Sequence, residues 1–171
     1  MDAKETLDRE YQSYAGDSGD IRPDDISAYA ALVGVFGAGM AASLLAAARW
    51  DRLPERTSVY DLALAGIATH KISRIMTRDR ITSFLRAPFT QYEESAQINE
   101  VNEAPRGTGI RKALGELLGC PLCLGAWIAG SFTVGTVFAP RTTRAVATTF
   151  TTLAMSDFLH LAYVKGANAA E

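Results

Sequence analysis

An all-α, polytopic membrane protein with four transmembrane helices is the fold class this sequence predicts, and three observations predict it. Residues 26–48 and 117–140 are uncharged runs of 23 and 24 residues, each longer than the roughly 20 needed to cross a bilayer's hydrocarbon core as a helix. Charge is segregated. Residues 1–25 and the segment from about Met76 to Glu116 are polar, so the mean hydropathy of +0.04 averages unlike parts. Lys and Arg are also shared unevenly, twelve against five, between the two sides that four crossings create.

Taken in order, residues 1–25 carry eight acidic residues against Lys4, Arg9 and Arg22, with Gly16, Gly19 and Pro23 breaking any long pattern. That composition predicts a mobile, solvated tail with room for one short helix. The first span, 26–48, has Asp25 or Ser27 as its N-cap. Its glycines Gly34, Gly37 and Gly39, continued by Ala38 and Ala42, form a small-residue face of the kind that lets a neighbouring helix approach in lipid. Arg49 to Arg56 is a charged connector with an interfacial tryptophan, Trp50.

A second span is expected over 57–76. Asp61 sits near its start and His70, Lys71 and Arg74 crowd its end, so it must tilt, snorkel its basic ends or be sheltered by partners. Between spans two and three lies a cytoplasmic amphipathic segment. From Arg78 to Arg86, Ile81, Phe84 and Leu85 share one helical face with arginines around it, the pattern of a helix lying on a membrane surface, and Pro88 stops it. An acidic loop follows, ending in the turn signal Pro105-Arg106-Gly107-Thr108-Gly109, and Ile110 to Leu118 reads as a short amphipathic helix. The third span, 117–140, opens on Cys120-Pro121-Leu122-Cys123. After the polar hairpin at 140–144, the fourth span, 145–164, is interrupted by Asp157 and His160 and closed by Lys165 and Gly166. The helical membrane domain is thus expected over 26–166, with a short C-terminal tail, 167–171.

By the positive-inside rule the N- and C-termini and the central segment are cytoplasmic. A chain of 171 residues is about one domain, and a net charge of -2 gives no electrostatic footprint for nucleic acid. Two cysteines three residues apart cannot staple distant segments, so no secreted-type disulfide framework is expected. The acidic N-terminus lacks the basic start and apolar core of a signal peptide.

Four residues set the candidate chemistry. Cys120, Cys123, His70 and His160 fall at similar depth near the cytoplasmic boundary, and Cys2His2 is a zinc-ligand inventory. Independently, Cys120 before Pro121 is placed as an N-cap with proline at N1, where a helix N-terminus favours the thiolate and a Cys-Pro-x-Cys pair can cycle between dithiol and disulfide. Against both stands simple packing of two small, soft side chains. Asp157 and Asp61 are intramembrane ionisable residues. Asp157 shares a face with His160 and points either to a proton or ion path or to an ion-pair clamp with Lys71 or Arg74. Arg74, Arg78, Arg80, Arg86, Arg106, Arg111 and Lys112 present a cytoplasmic basic, lipid-facing set, suited to anionic head groups and equally explained by a plain positive-inside surface. No phosphate loop, Ser/His/Asp arrangement or paired catalytic carboxylates appear, which points away from an enzyme.

The runs Lys71-Ile72-Ser73-Arg74, Asp79-Arg80-Ile81-Thr82, Leu85-Arg86-Ala87-Pro88-Phe89, Val101 to Gly107 and Glu116 to Trp127, the last containing Cys120, Pro121 and Cys123, carry a resemblance through their order and spacing. Over about residues 57–164 the chain resembles the bacterial domain-of-unknown-function 1360 family, small multi-pass membrane proteins some of which bear a sporulation label. The resemblance implies a bacterial plasma-membrane location and brings no reaction, substrate or cofactor. The family pattern fixes no histidine at His70 or His160, which weakens the zinc reading. The leading expectation is a structural or interaction subunit of a membrane assembly, partnered by anionic lipid and by a membrane protein or a second copy. A thiol-redox or metal-binding role for the Cys pair and a proton-coupled carrier using Asp157 are the alternatives.

Overall fold

A computed structural model describes residues 3–15, 21–96 and 99–169. Among these residues the chain is mostly helical, with seven α-helices and one two-stranded antiparallel hairpin. The hairpin corrects the all-α expectation. The chain divides into two compact units, one formed by Met1–Gly39 with Met76–Cys120 and the other by Met40–Ile75 with Pro121–Glu171.

Helix α1, Ala3–Ala15, occupies much of the segment expected as a mobile tail; the rest of that expectation at 1–2 and 16–20, and the tail end at 170–171, lie outside the described residues. Helix α2, Pro23–Arg49, begins with proline at the first helical position, and Asp25 reaches back to accept the Arg22 backbone N–H at 3.0 Å. This is the reciprocal half of a capping box, so Asp25 serves the helix start from inside the first turn rather than as its N-cap. At the other end Asp51 takes φ 52°, and the Arg52 N–H donates to Ala47 O at 2.8 Å while the Asp51 N–H donates to Ala48 O at 3.2 Å. These are the paired bonds of a Schellman ending, with an aspartate at the left-handed position.

Two helices are long and apolar enough to cross a membrane by length and composition, α2 and α6, Pro121–Phe138. At about 1.5 Å per residue, their 27 and 18 residues are about 40 and 27 Å long. Helices α3, Val59–Arg78, and α7, Pro140–Asn168, stand where the second and fourth spans were expected. Both are diluted by charged and polar side chains, so four crossings do not follow from apolarity alone. Among the described residues no neighbour approaches Gly34, Gly37 or Gly39 closely: a Cβ added at any of the three would meet nothing there within 4 Å.

In the first unit, a 3-10 turn over Arg80–Thr82 leads to the one-turn helix α4, Ser83–Arg86. Strands β1, Thr90–Ser95, and β2, Val101–Pro105, then pair with Thr90 opposite Pro105 and a register shift between Tyr92 and Glu94. Gly107 and Gly109, at φ 76° and 58°, make the expected turn, because only glycine takes that backbone without strain. Helix α5, Ile110–Gly119, follows and packs on the hairpin at a glycine: a Cβ on Gly115 would lie 2.5 Å from Phe89 O. In the second unit, Leu64 and Ala68 of α3, Phe132 of α6 and Ala147 of α7 form the buried core, flanked by Ile72, Ile128 and Phe150. Helices α6 and α7 are joined through Ala139 alone, and Gly135 lies against Thr143 across that turn.

Candidate functional site

The first unit is built around Arg86. Its side chain is 0% exposed, and all five guanidinium N–H groups are used. Nε and Nη2 donate to the two carboxylate oxygens of Glu103 at 2.9 and 3.0 Å. Nη1 donates to Met76 O at 2.7 Å and Thr82 Oγ1 at 2.8 Å, and Nη2 also donates to Asp79 O at 3.2 Å. The Thr90 hydroxyl lies 2.6 Å from Glu103 and 2.9 Å from Arg86 O. Burial raises the Glu103 carboxyl, but hydrogen bonds from Arg86 and Thr90 and the guanidinium charge outweigh it and hold the group below the usual glutamate range.

This geometry corrects the reading of Arg86 as lipid-facing, since a guanidinium with every donor satisfied internally has nothing left for a phosphate. Lys112 is drawn inward as well: its ammonium donates to Asp25 at 2.9 Å, while Asp25, 0% exposed, also accepts the Gly109 N–H at 2.7 Å. The Tyr29 hydroxyl hydrogen-bonds Glu116 beside this pair. Around them, Arg78 donates to Asn102 at 3.0 Å, Arg80 to Ser95 at 2.9 Å and Arg111 to Pro88 O at 3.0 Å. Much of the supposed head-group cluster is thus engaged in holding the unit together. Of the residues singled out by resemblance, Asp79, Thr82 and Arg86 converge in one network, and Pro88 and Phe89 continue it through their carbonyls, Phe89 O accepting the Arg106 N–H at 2.7 Å. Glu103, Thr90 and Asp25 are not among the sequence-predicted site residues; the sequence offers Glu103 only as a member of the acidic loop and of the run Val101 to Gly107.

In the second unit two ion pairs join α3 to α7. Asp61 takes a bidentate pair from Arg144, both bonds 2.8 Å, and Asp157 takes the Lys71 ammonium. Asp61 pairs with Arg144, Leu64 O accepts Thr151 Oγ1 at 2.9 Å and Lys71 pairs with Asp157, so the two helices run parallel. Arg74 is half-buried. A small cavity lies beside the Asp61–Arg144 pair, lined also by Phe132 and Thr136.

Cys120 and Cys123 are disulfide-bonded, Cys120 extended just before α6 and Cys123 in its first turn, with Pro121 between them as the first helical residue. Trp127 follows one turn later, half-buried. His70 and His160 are both exposed, and among the described residues no group of three or more His, Cys, Asp or Glu is assembled to hold a metal ion. The Cys2His2 set is therefore not brought together.

These features define a class: a mostly helical protein with two helices of membrane-crossing length and apolarity, carrying a polar helix-and-hairpin unit locked by a buried arginine. Residues 64–163 match the family model described as "Protein of unknown function (DUF1360)", and the chain belongs to that family. It is also similar to the sporulation protein YjcA of Bacillus subtilis (strain 168), 33% identical over 72 residues, which is 40% of this chain and 61% of that protein. The chain thus spans less than two thirds of that relative's length. No solved structure matches it.

Proposed function

We propose that this protein is an integral protein of the bacterial plasma membrane that crosses it four times, keeps both termini and the polar segment between spans two and three in the cytoplasm, and serves as a structural or interaction subunit of a membrane assembly. Helix α2 carries the reading. Only 6% of its most apolar 18-residue window is buried. A core helix of a water-soluble protein passes the same test of length and apolarity but is mostly buried. Here Val33, Val35 and Leu45 are exposed, and each large apolar side chain left in water forgoes about 1.5–3 kcal/mol. Lipid around α2 removes that cost.

The ion pairs support extending the reading to α3 and α7. A lone charge at the bilayer centre costs about 2.5–3.5 kcal/mol on insertion scales. Asp61 with Arg144 and Lys71 with Asp157 pair off four charges that lie toward the ends of these helices, so that none of the four enters the bilayer region alone. The parallel run of α3 and α7 also agrees with second and fourth crossings that start on the same side. Alkaline-carbonate extraction of cell membranes, with reporters fused near Glu93 and at the C-terminus, tests location and orientation together. Retention in the pellet with cytoplasmic reporters is expected; release from the pellet refutes the location, and an external Glu93 reporter inverts the map. Co-purification in mild detergent then identifies the assembly.

The disulfide favours a second reading, in which Cys120 and Cys123 form a thiol-redox pair. A dithiol donor's thiolate attacks one sulfur, the S–S bond breaks to a mixed disulfide, and the donor's second thiol releases both protein thiols, so two electrons and two protons pass from donor to protein. In a reducing cytoplasm a disulfide is typically transient and catalytic or redox-sensing rather than structural. Zinc, held through thiolates, would require the reduced form. Thiol labelling with and without reductant tests this reading: cysteines that label fully without reductant exclude a standing disulfide.

A further inference from the structure

We propose that Ile81, Phe84 and Leu85 form an apolar knuckle that seats into the surface of the anionic phospholipid membrane which the rest of the chain crosses. The proposal rests on the membrane reading above and goes beyond it by assigning a particular face to lipid. These three side chains are 80%, 70% and 45% exposed, although they sit in the polar unit, where apolar groups have a hairpin and a helix available to pack against. Their exposure is built rather than loose. Within that short turn Arg86 points inward, and its bonds to Met76 O, Asp79 O and Thr82 Oγ1 fix the chain on both sides of Ile81. The Ser83 hydroxyl donates to Arg80 O at 2.8 Å and the Ala87 N–H to Ser83 O at 2.7 Å, closing the turn on itself. The result is a rigid projection with its charge inside and its hydrocarbon outside.

Two observations choose lipid as the occupant. The first is reach. If the second crossing ends near Met76, Ile81 follows five residues later, and even fully extended chain covers at most about 18 Å over that distance at about 3.3–3.6 Å per residue. The knuckle is therefore tethered beside the head-group layer. The second is charge. Arg80, next to Ile81, and Arg111, bonded to Pro88 O three residues beyond Leu85, are both exposed, and each commits one N–H to the unit, Arg80 to Ser95 and Arg111 to Pro88 O, so guanidinium charge stands at both ends of the apolar triplet. Apolar side chains flanked by two exposed arginines match a surface with hydrocarbon below and phosphate above. A soluble partner or a second copy would not need to lie within that reach.

The test uses the full chain in vesicles of phosphatidylethanolamine and phosphatidylglycerol, with Cys120 and Cys123 replaced by alanine. A nitroxide is placed in turn at Phe84→Cys and at Val35→Cys on α2, and its collisions with oxygen and with a water-soluble nickel complex are compared. The expected result is an oxygen-to-nickel ratio at position 84 shifted toward the lipid value found at 35, with that shift lost in an Ile81→Asp, Leu85→Asp background and reduced when phosphatidylglycerol is omitted. Ratios at 84 equal to those of water, with 35 still in lipid, overturn the knuckle and leave the membrane reading standing. Water-like ratios at both positions sink the two together. A nitroxide at 84 shielded from both reagents means that protein covers this face, which also overturns the proposal.

Discussion

Replacing Glu103 by glutamine is the most informative single change, because it removes the charge opposite a fully buried guanidinium while keeping the shape. Glu103 is 7% exposed and receives two bonds from Arg86 and one from Thr90. Glutamine leaves one oxygen to accept but turns an N–H2 toward a donor, so Arg86 keeps a buried, unbalanced positive charge. Breaking a buried pair from one side typically costs about 3–5 kcal/mol. At about 1.4 kcal/mol per tenfold change, opening of the unit becomes roughly 10²- to 4 × 10³-fold more frequent. Hydrogen exchange on the full chain in detergent reads this directly at the Arg106 amide, bonded to Phe89 O, and at the Ala96 amide, bonded to Glu100 O. Replacing both partners together, Arg86→Met with Glu103→Leu, is expected to cost less than Glu103→Gln alone, since no unpaired charge remains. Less than a tenfold acceleration in Glu103→Gln would refute the claim that this pair holds the unit.

The same pair sets a pH dependence. Glu103 is held below its ordinary value, so its stabilisation is complete above about pH 4.5, the unperturbed glutamate range, and is lost as pH falls through the lowered folded value. Hairpin exchange protection, corrected for intrinsic rates, should therefore stay level down to about pH 5 and fall below that; a Glu103→Gln chain should lack the fall. Gly115→Ala sets helix propensity against packing: alanine favours a helix interior by about 1 kcal/mol, but the new Cβ would meet Phe89 O at 2.5 Å. A net loss of about 1–3 kcal/mol is expected, read by the same amides, and a gain would contradict the α5–hairpin contact. Asp157→Lys and Lys71→Asp should each lower the amount of chain accumulating in membranes, and the two together should restore it. A normally accumulating Asp157→Asn chain that loses proton-coupled transport would instead support the carrier alternative.

The parts legible in the sequence are those that depend on apolar runs and local turn chemistry. Helices α2 and α6 coincide with the uncharged stretches, and Pro105 to Gly109 is the turn its glycines announced. Pairing over distance was less accessible. Asp157 had two basic candidates one turn apart on the same helix, Lys71 and Arg74, and it is the packing of α7 on α3 that brings Lys71 to it. Arg86 looked like one more surface cation because its carboxylate partner lies 17 residues onward in the chain. The hairpin stayed hidden because Thr90-Gln91-Tyr92-Glu93-Glu94-Ser95 has neither alternation nor β-branched content beyond one threonine, and an isolated two-stranded hairpin is marginal in water. It is held by tertiary contacts, with Glu103 on Arg86 and Gly115 of α5 against Phe89. Asp25 illustrates both cases. Its place at the start of α2 was readable, whereas its second role, joining that start to Gly109 and Lys112, was not.

Retention in the membrane pellet after alkaline-carbonate treatment bears most directly on the central claim, that α2 is surrounded by lipid. The account requires the full chain to remain with the bilayer until detergent is added. Recovery of the chain in the carbonate supernatant, monodisperse without any amphiphile, would contradict it.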